Sequence, residues 1–231
     1  MGNESSILPN GNKFEFWEQE TVYHTEYHVN CNHPSASDLN DGSKEAPFKT
    51  INAAAKIATA GTHILIHGGE YRECVHPVHS GYGPTAMICY EAYGDGDVVI
   101  KASEEVHDFK RSHDWRLEYF SEPVTKEPVI WELKLSPTLF QGYQPFCAVN
   151  ILHDRLFIEY EKTDMTPYLN RRGMVFCDGV ALTQVTLYNM LATTENSYWV
   201  EANGQTVHFR LRDDDDPSNH LIEVSSREQC F

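Results

Sequence analysis

Stacked parallel β coils, interrupted by an antiparallel sandwich-like insert, make up the all-β fold that this sequence predicts, and three observations carry the expectation. Short apolar strands recur about every dozen or two dozen residues through the first half, with glycine and acid turns between them, the cadence of a parallel β-helix. One short alanine-rich helix stands just before the clearest of these strands. Farther on, a D-G turn and an N-G turn each separate two strand-like runs, which is the mark of antiparallel hairpins.

Taken in order, a polar lead of about 20 residues is followed by Glu26-Tyr27-His28-Val29 as a first strand and by Asp38-Leu39-Asn40-Asp41-Gly42 as a loop. Pro47 then opens a helix expected to run to Ala60. Its apolar positions Ile51, Ala54, Ala55 and Ala58 recur at helical spacing, and Gly61 stops it. The small alanines allow it to lie close against the first coil as a cap, while Gly68-Gly69 turns the chain into that coil. The run HILIHGGEYRECV supplies a strand, and after the turn at Gly81 to Pro84 come AMICYEA, a second glycine-acid turn and VVIKAS.

The rhythm then changes. Met174-Val175-Phe176-Cys177 and Val180-Ala181-Leu182 flank Asp178-Gly179, and Tyr198 to Glu201 and Thr206 to Leu211 flank Asn203-Gly204. In the second pair Val207, Phe209 and Leu211 alternate with His208 and Arg210, which predicts one buried face and one wet face. The expected organisation is therefore a lead, capping helix and first coils over 1–112, a β-sandwich-like insert over 113–220, and a return to the coils over 221–231.

Composition narrows the function classes. The chain has 231 residues, 41% of them hydrophobic and 12% aromatic, enough for a sizeable core, and no uninterrupted apolar run approaches the roughly 20 residues a membrane span needs. No basic start followed by an apolar stretch marks a signal peptide, so the expected address is the cytoplasm unless such a segment has been removed. A formal charge of -16 repels phosphate backbones and anionic lipid, which argues against nucleic acid and membrane surfaces as partners. The six cysteines are widely spaced, without a C-x-x-C pair, and read as buried small hydrophobes. His63 and His67 on one strand face would stand about 13 Å apart, too far for one metal. The run Asp213 to Asp216 is the one segment where calcium enters consideration, but it lacks the alternating oxygen ligands and closing glutamate of a binding loop. A solvated turn, and no cofactor, is expected.

With those elements placed, the motifs carry a resemblance. D-G-S-x-x-x-P-F-K-T-I-N-x-A-A at 41–55, A-G-T-x-I-L-I-H-x-G-x-Y-R-E at 60–73, and Y-E-A with V-V-I-K-A-S-E at 90–104 resemble the start of a right-handed parallel β-helix carbohydrate-active enzyme. W-E-L-K-L at 131–135, G-Y-Q-P-F at 142–146, G-M-V-F-C-D-G at 173–179 and D-D-D-P-S-N-H-L-I-E-V-S-S-R-E-Q-C-F at 214–231 extend it over nearly the whole chain. The order of blocks, with a sandwich-like interruption, is most similar to glycoside hydrolase family 120, the β-xylosidases.

That resemblance implies retaining hydrolysis of an oligosaccharide by an aspartate nucleophile and a glutamate acid/base about 5 Å apart. Both belong to later coils in the family, so this chain is expected to be the N-terminal part of a longer protein and to carry no catalytic residue itself. Glu70, Glu73, Glu91 and Glu104 read as turn-capping or solvent-facing acids. An aromatic residue that shapes the family's pocket is matched here by His153-Asp154-Arg155, so Arg155 offers a forked cation suited to a carboxylate in place of a stacking platform. Arg155, Tyr143 and Phe146 are the substrate-binding candidates. Two coils leave an open apolar end, which makes association of copies an open expectation. A non-catalytic carbohydrate-binding or assembly module and a polysaccharide lyase, the latter usually calcium-dependent, stand as alternatives.

Overall fold

The computed structural model describes residues 6–14, 21–113, 127–140, 142–148 and 170–230. They form two compact units, one reaching Lys101 and taking in Cys230, the other running from Ala102 to Gln229.

In the first unit, β1 (Ser6–Ile7) and β2 (Lys13–Phe14) make a small antiparallel ribbon. The strands that follow are β3 (Thr25–Val29), β4 (Thr62–Ile66), β5 (Gly69–Tyr71), β6 (Cys89–Ala92) and β7 (Val98–Ile100), with α1 (Ile51–Ile57) between β3 and β4. Strands β3, β4 and β6 pair in parallel, with Glu26 opposite His63 and His63 opposite Cys89. Strands β5 and β7 form a second parallel pair, with Glu70 opposite Val99. Two successive passes of the chain thus repeat the same corner, β4 to β5 and β6 to β7. At that corner a Cβ on Gly68 would meet the Cα of Gly96 at 2.8 Å, so two glycines stack where no side chain fits.

The helix is shorter than the sequence predicts. Phe48 forms a parallel bridge with Val29, which holds Pro47 and Phe48 extended, and Ala58 is already extended at φ -60, ψ 133. Between them the N-terminus is closed on three sides. Thr50 accepts from the Ala53 N–H at 3.2 Å, and the Glu73 carboxylate accepts from Ile51 N–H and Asn52 N–H, both at 2.8 Å. Asp38 accepts from the Lys49 and Thr50 N–H groups and so fixes the approach. These caps satisfy donors that no helical carbonyl can reach. Ile51, Ala54, Ala55 and Ala58 are buried with Val29, Phe48, Ile64, Ile66, Tyr71 and Val75 in one core, where each large aliphatic contributes about 1.5–3 kcal/mol.

The second unit contains β8 (Ser103–Glu105), β9 (Phe109–Arg111), β10 (Trp131–Lys134), β11 (Val175–Cys177), β12 (Val180–Ala181), β13 (Thr183–Gln184), β14 (Ser197–Val200), β15 (Thr206–Arg210) and β16 (Ile222–Ser225). One sheet has the order β13-β14-β15-β10-β9, the other β12-β11-β16-β8. All neighbours are antiparallel except β13 and β14. Leu133, Val207 and Phe209 of the first sheet share a core with Val175, Ile222 and Val224 of the second. Both expected hairpins form. The D-G turn takes φ 49 at Asp178 and 78 at Gly179, while the N-G hairpin closes through a longer loop between Val200 and Val207.

Two features of this unit differ from the sequence reading. His208 has no wet face: it is fully buried, because the 3-10 segment Tyr188–Ala192 folds over that side with Ile130, Val185 and Trp199. The residues assigned to returning coils contain β16, which pairs antiparallel with β8 and β11, while Cys230 accepts from Val75 N–H within the first unit.

Candidate functional site

Alternation along parallel strands puts every second side chain on one face. On the inward face of β3, β4 and β6 that rule yields Val29, Ile64 and Ile66, all core. The opposite face yields Glu26, His28, His63, Leu65, Cys89 and Glu91, all but Leu65 carrying polar or thiol groups, continued past the strand ends by His67, Tyr93 and Asp95. This is a polar surface whose order comes from side chains meeting across adjacent strands, the unit by which sheets are specified.

Two ladders run across it. In the first, His63 Nε2 lies 2.8 Å from Glu91 Oε2, its ring stacks on Tyr23 at 4.7 Å, and Cys89 sits directly opposite His63 in the register. In the second, contacts run from Glu26 to His28 at 3.2 Å, from His28 Nδ1 to His67 Nε2 at 2.9 Å, and from His67 Nδ1 to Asp95 Oδ2 at 2.6 Å. Asp95 also accepts from Gly68 N–H at 2.8 Å, and that bond, followed by the one from His67, holds its carboxyl below the usual range. Tyr93 stacks on His67 at 4.1 Å and hydrogen-bonds Lys44 Nζ through its hydroxyl at 2.9 Å, which raises the Lys44 pKa.

The second unit carries a cleft of about 360 Å³ lined by Cys177, Asp178, Arg212, Asp213, Asp215 and His220. His220 Nδ1 is 2.7 Å from Asp178 and Nε2 is 3.1 Å from Asp215. The two carboxylates, Asp178 first, push the His220 pKa up, and the imidazole in turn pulls the Asp178 carboxyl down. Burial, followed by the charge of Asp178, pushes the Cys177 thiol up to about 11. The acid run is largely committed locally. Asp214 accepts from Val129 N–H and Arg210, Asp215 from Asp216 N–H, and Asp216 from Ser218. A third polar group, Ser112, His208 and Glu201, has the residue types of a nucleophilic triad. Here Glu201 Oε1 lies 3.0 Å from Nε2, Ser112 meets Nδ1 at 2.8 Å, and the Tyr188 hydroxyl lies 3.0 Å from the serine oxygen. With His208 buried, this relay fixes a core polar group rather than presenting a nucleophile.

Of the sequence candidates, Arg155 lies outside the described residues. Phe146 is fully buried, with its ring 2.3 Å from where a Cβ on Gly173 would stand, so it is a core side chain rather than an exposed platform. Tyr143 is half-buried in the same loop. Glu73 caps α1, Glu70 pairs with Arg72 and Lys101, Glu91 meets His63 and Glu104 pairs with Arg227, so each of the four acids has a structural partner. His28, Tyr93, Asp95 and Cys89 were not singled out by sequence reasoning. Aligning HILIHGG with ICYEAYGDGD by coil would have set His63 against Cys89 and Leu65 against Glu91.

A family described as "Protein of unknown function (DUF1565)" matches residues 35–77. The "Uncharacterized protein YwoF" of Bacillus subtilis (strain 168) is 40% identical over 67 residues, which is 29% of this chain and 14% of that protein. The solved structure of XylC in complex with xylose is similar over 90% of this chain and 32% of its own, with a TM-score of 0.69 and 24% identity. A solved glycoside hydrolase aligns with 87% of this chain and 45% of its own at a TM-score of 0.46 and 12% identity, too weak to support any inference. The chain therefore spans about a third of XylC and a smaller share of the curated relative. What the XylC likeness shows is the fold: a mostly β chain with several sheets and a single helix among the described residues.

Proposed function

We propose that this chain is the N-terminal part of a right-handed parallel β-helix glycoside hydrolase, retaining and β-xylosidase-like, acting on plant or microbial oligosaccharides. The observation that supports it best is the repeated corner, β4 to β5 stacked on β6 to β7, followed in the chain by a two-sheet unit, an order similar to that of a protein solved with xylose. In this reading 1–112 supplies a capped start to the coils, 113–220 an insert that forms part of a pocket wall, and the acid pair comes from coils beyond residue 231. Tyr143 and Arg155 belong to the insert's contribution, with Arg155 favouring a sugar that bears a carboxylate.

A panel of nitrophenyl glycosides tests the reading on a protein that includes the following coils. Release of nitrophenol from β-xylosides is expected. Release from uronides that falls about tenfold or more in an Arg155→Ala variant would place the cation in the pocket, in line with the 1.5–3 kcal/mol of a hydrogen bond to a charged group. Products with a new ultraviolet-absorbing double bond would replace hydrolysis by elimination. The structural commitment of Glu70, Glu73, Glu91 and Glu104 favours one second reading, a carbohydrate-binding or assembly module. Glycan binding by a protein inert toward the whole panel would establish it.

A further inference from the structure

We propose that His63, Cys89 and Glu91 form a binding site for a borderline transition-metal ion of the zinc type on the polar face of the β3-β4-β6 sheet. Their ligand atoms, imidazole nitrogen, thiol sulfur and carboxylate oxygen, all lie within 4.8 Å of one another. The fold sets this up. Cys89 and Glu91 are two apart on β6 and therefore share a face, and the register puts Cys89 directly across from His63. Tetrahedral bonds of about 2.0–2.3 Å to nitrogen, oxygen and sulfur require ligand atoms about 3.3–3.6 Å apart. The 2.8 Å contact between His63 and Glu91 opens slightly and the thiol closes in, changes that side-chain rotation supplies without moving the strands.

The donor set selects the ion. Thiolate and imidazole favour zinc, cobalt or copper, whereas calcium and magnesium require mostly oxygen. Three protein ligands leave a fourth position for water or a ligand oxygen, the pattern of a catalytic rather than a closed structural site. Glu91 keeps 37% of its side-chain surface exposed against 18% for His63, so the site is open to entry. Tyr23 stacked on His63 holds the ring plane. A net charge of -16 raises the local concentration of cations. The other trio with suitable donors, Cys177, Asp178 and His220, is less suited. Both His220 nitrogens are engaged by carboxylates, and one Asp178 oxygen is held by Leu221 N–H.

Cobalt and zinc titrations of the metal-free chain test the proposal. Cobalt should give tetrahedral ligand-field bands and a thiolate charge-transfer band that saturate near one equivalent. Cys89→Ser should abolish the charge-transfer band and weaken zinc binding more than about 100-fold, beyond the 10- to 100-fold expected for loss of an outer-shell partner. Cys177→Ser should change neither. Independently of any variant, zinc should slow alkylation of Cys89 in the unmodified protein, read by peptide mass, with the Cys177 rate unchanged. A charge-transfer band that survives in Cys89→Ser, or an alkylation rate at Cys89 indifferent to zinc, would overturn the site.

Discussion

Gly68 shows how a single position carries the fold of the first unit. A Cβ there would meet backbone atoms of Gly96 at 2.8–3.2 Å, and backbone cannot step aside as a flexible side chain can. Gly68→Ala is expected to cost about 1–3 kcal/mol in denaturant unfolding, the range for forced overpacking; a change under 0.5 kcal/mol would mean the corner is looser than drawn. In the second unit Phe146→Ala should cost about 3–5 kcal/mol, because its ring is fully buried under Gly173. His220 makes a pH prediction. Its folded pKa is raised above the ordinary 6.5 by Asp178 and Asp215, so its contribution to stability is complete below 6.5 and is lost as pH rises through the folded value. Stability measured from pH 6 to 9 should therefore fall with a component that His220→Asn removes. The Asp178 carboxyl, held low, acts in the opposite sense, contributing above its ordinary 3.8 and fading as pH drops.

At the scale of elements, α1 illustrates what sequence can and cannot specify. The alanine spacing announced a helix that packs closely, and Ile51, Ala54, Ala55 and Ala58 are indeed its buried side. Its limits were set by partners far along the chain, Val29 bridging Phe48 and Glu73 closing the N-terminus, which no local signal encodes. Glu73→Gln should keep the helix but lose one of the two N–H contacts, because the amide NH2 cannot accept, lowering stability by about 1 kcal/mol, with Glu73→Ala costing more. Equal stability in both variants would remove the cap from the account. The D-G hairpin was legible because left-handed φ values at Asp178 and Gly179 are a local demand. The buried second face of β15 was not, since it depends on Tyr188–Ala192 folding over His208.

For the whole molecule, strand spacing and turn chemistry announced the β character. Side-chain ladders escaped notice because their members lie on different passes of the chain: His63 with Glu91, His67 with Asp95, and the His28–His67 contact. Parallel register converts that separation into contact. A reading by coil rather than by motif would have found them. The proposed hydrolase is tested most directly by following the bond that is broken. Proton NMR of a nitrophenyl β-xyloside, whose leaving group is nitrophenol and not a second sugar, incubated with the protein and its following coils should show β-xylose as the first product, converting to the equilibrium mixture afterwards, as a retaining double displacement requires. First appearance of the α anomer, or an intact xyloside alongside an unsaturated sugar from an acidic substrate, would contradict the account.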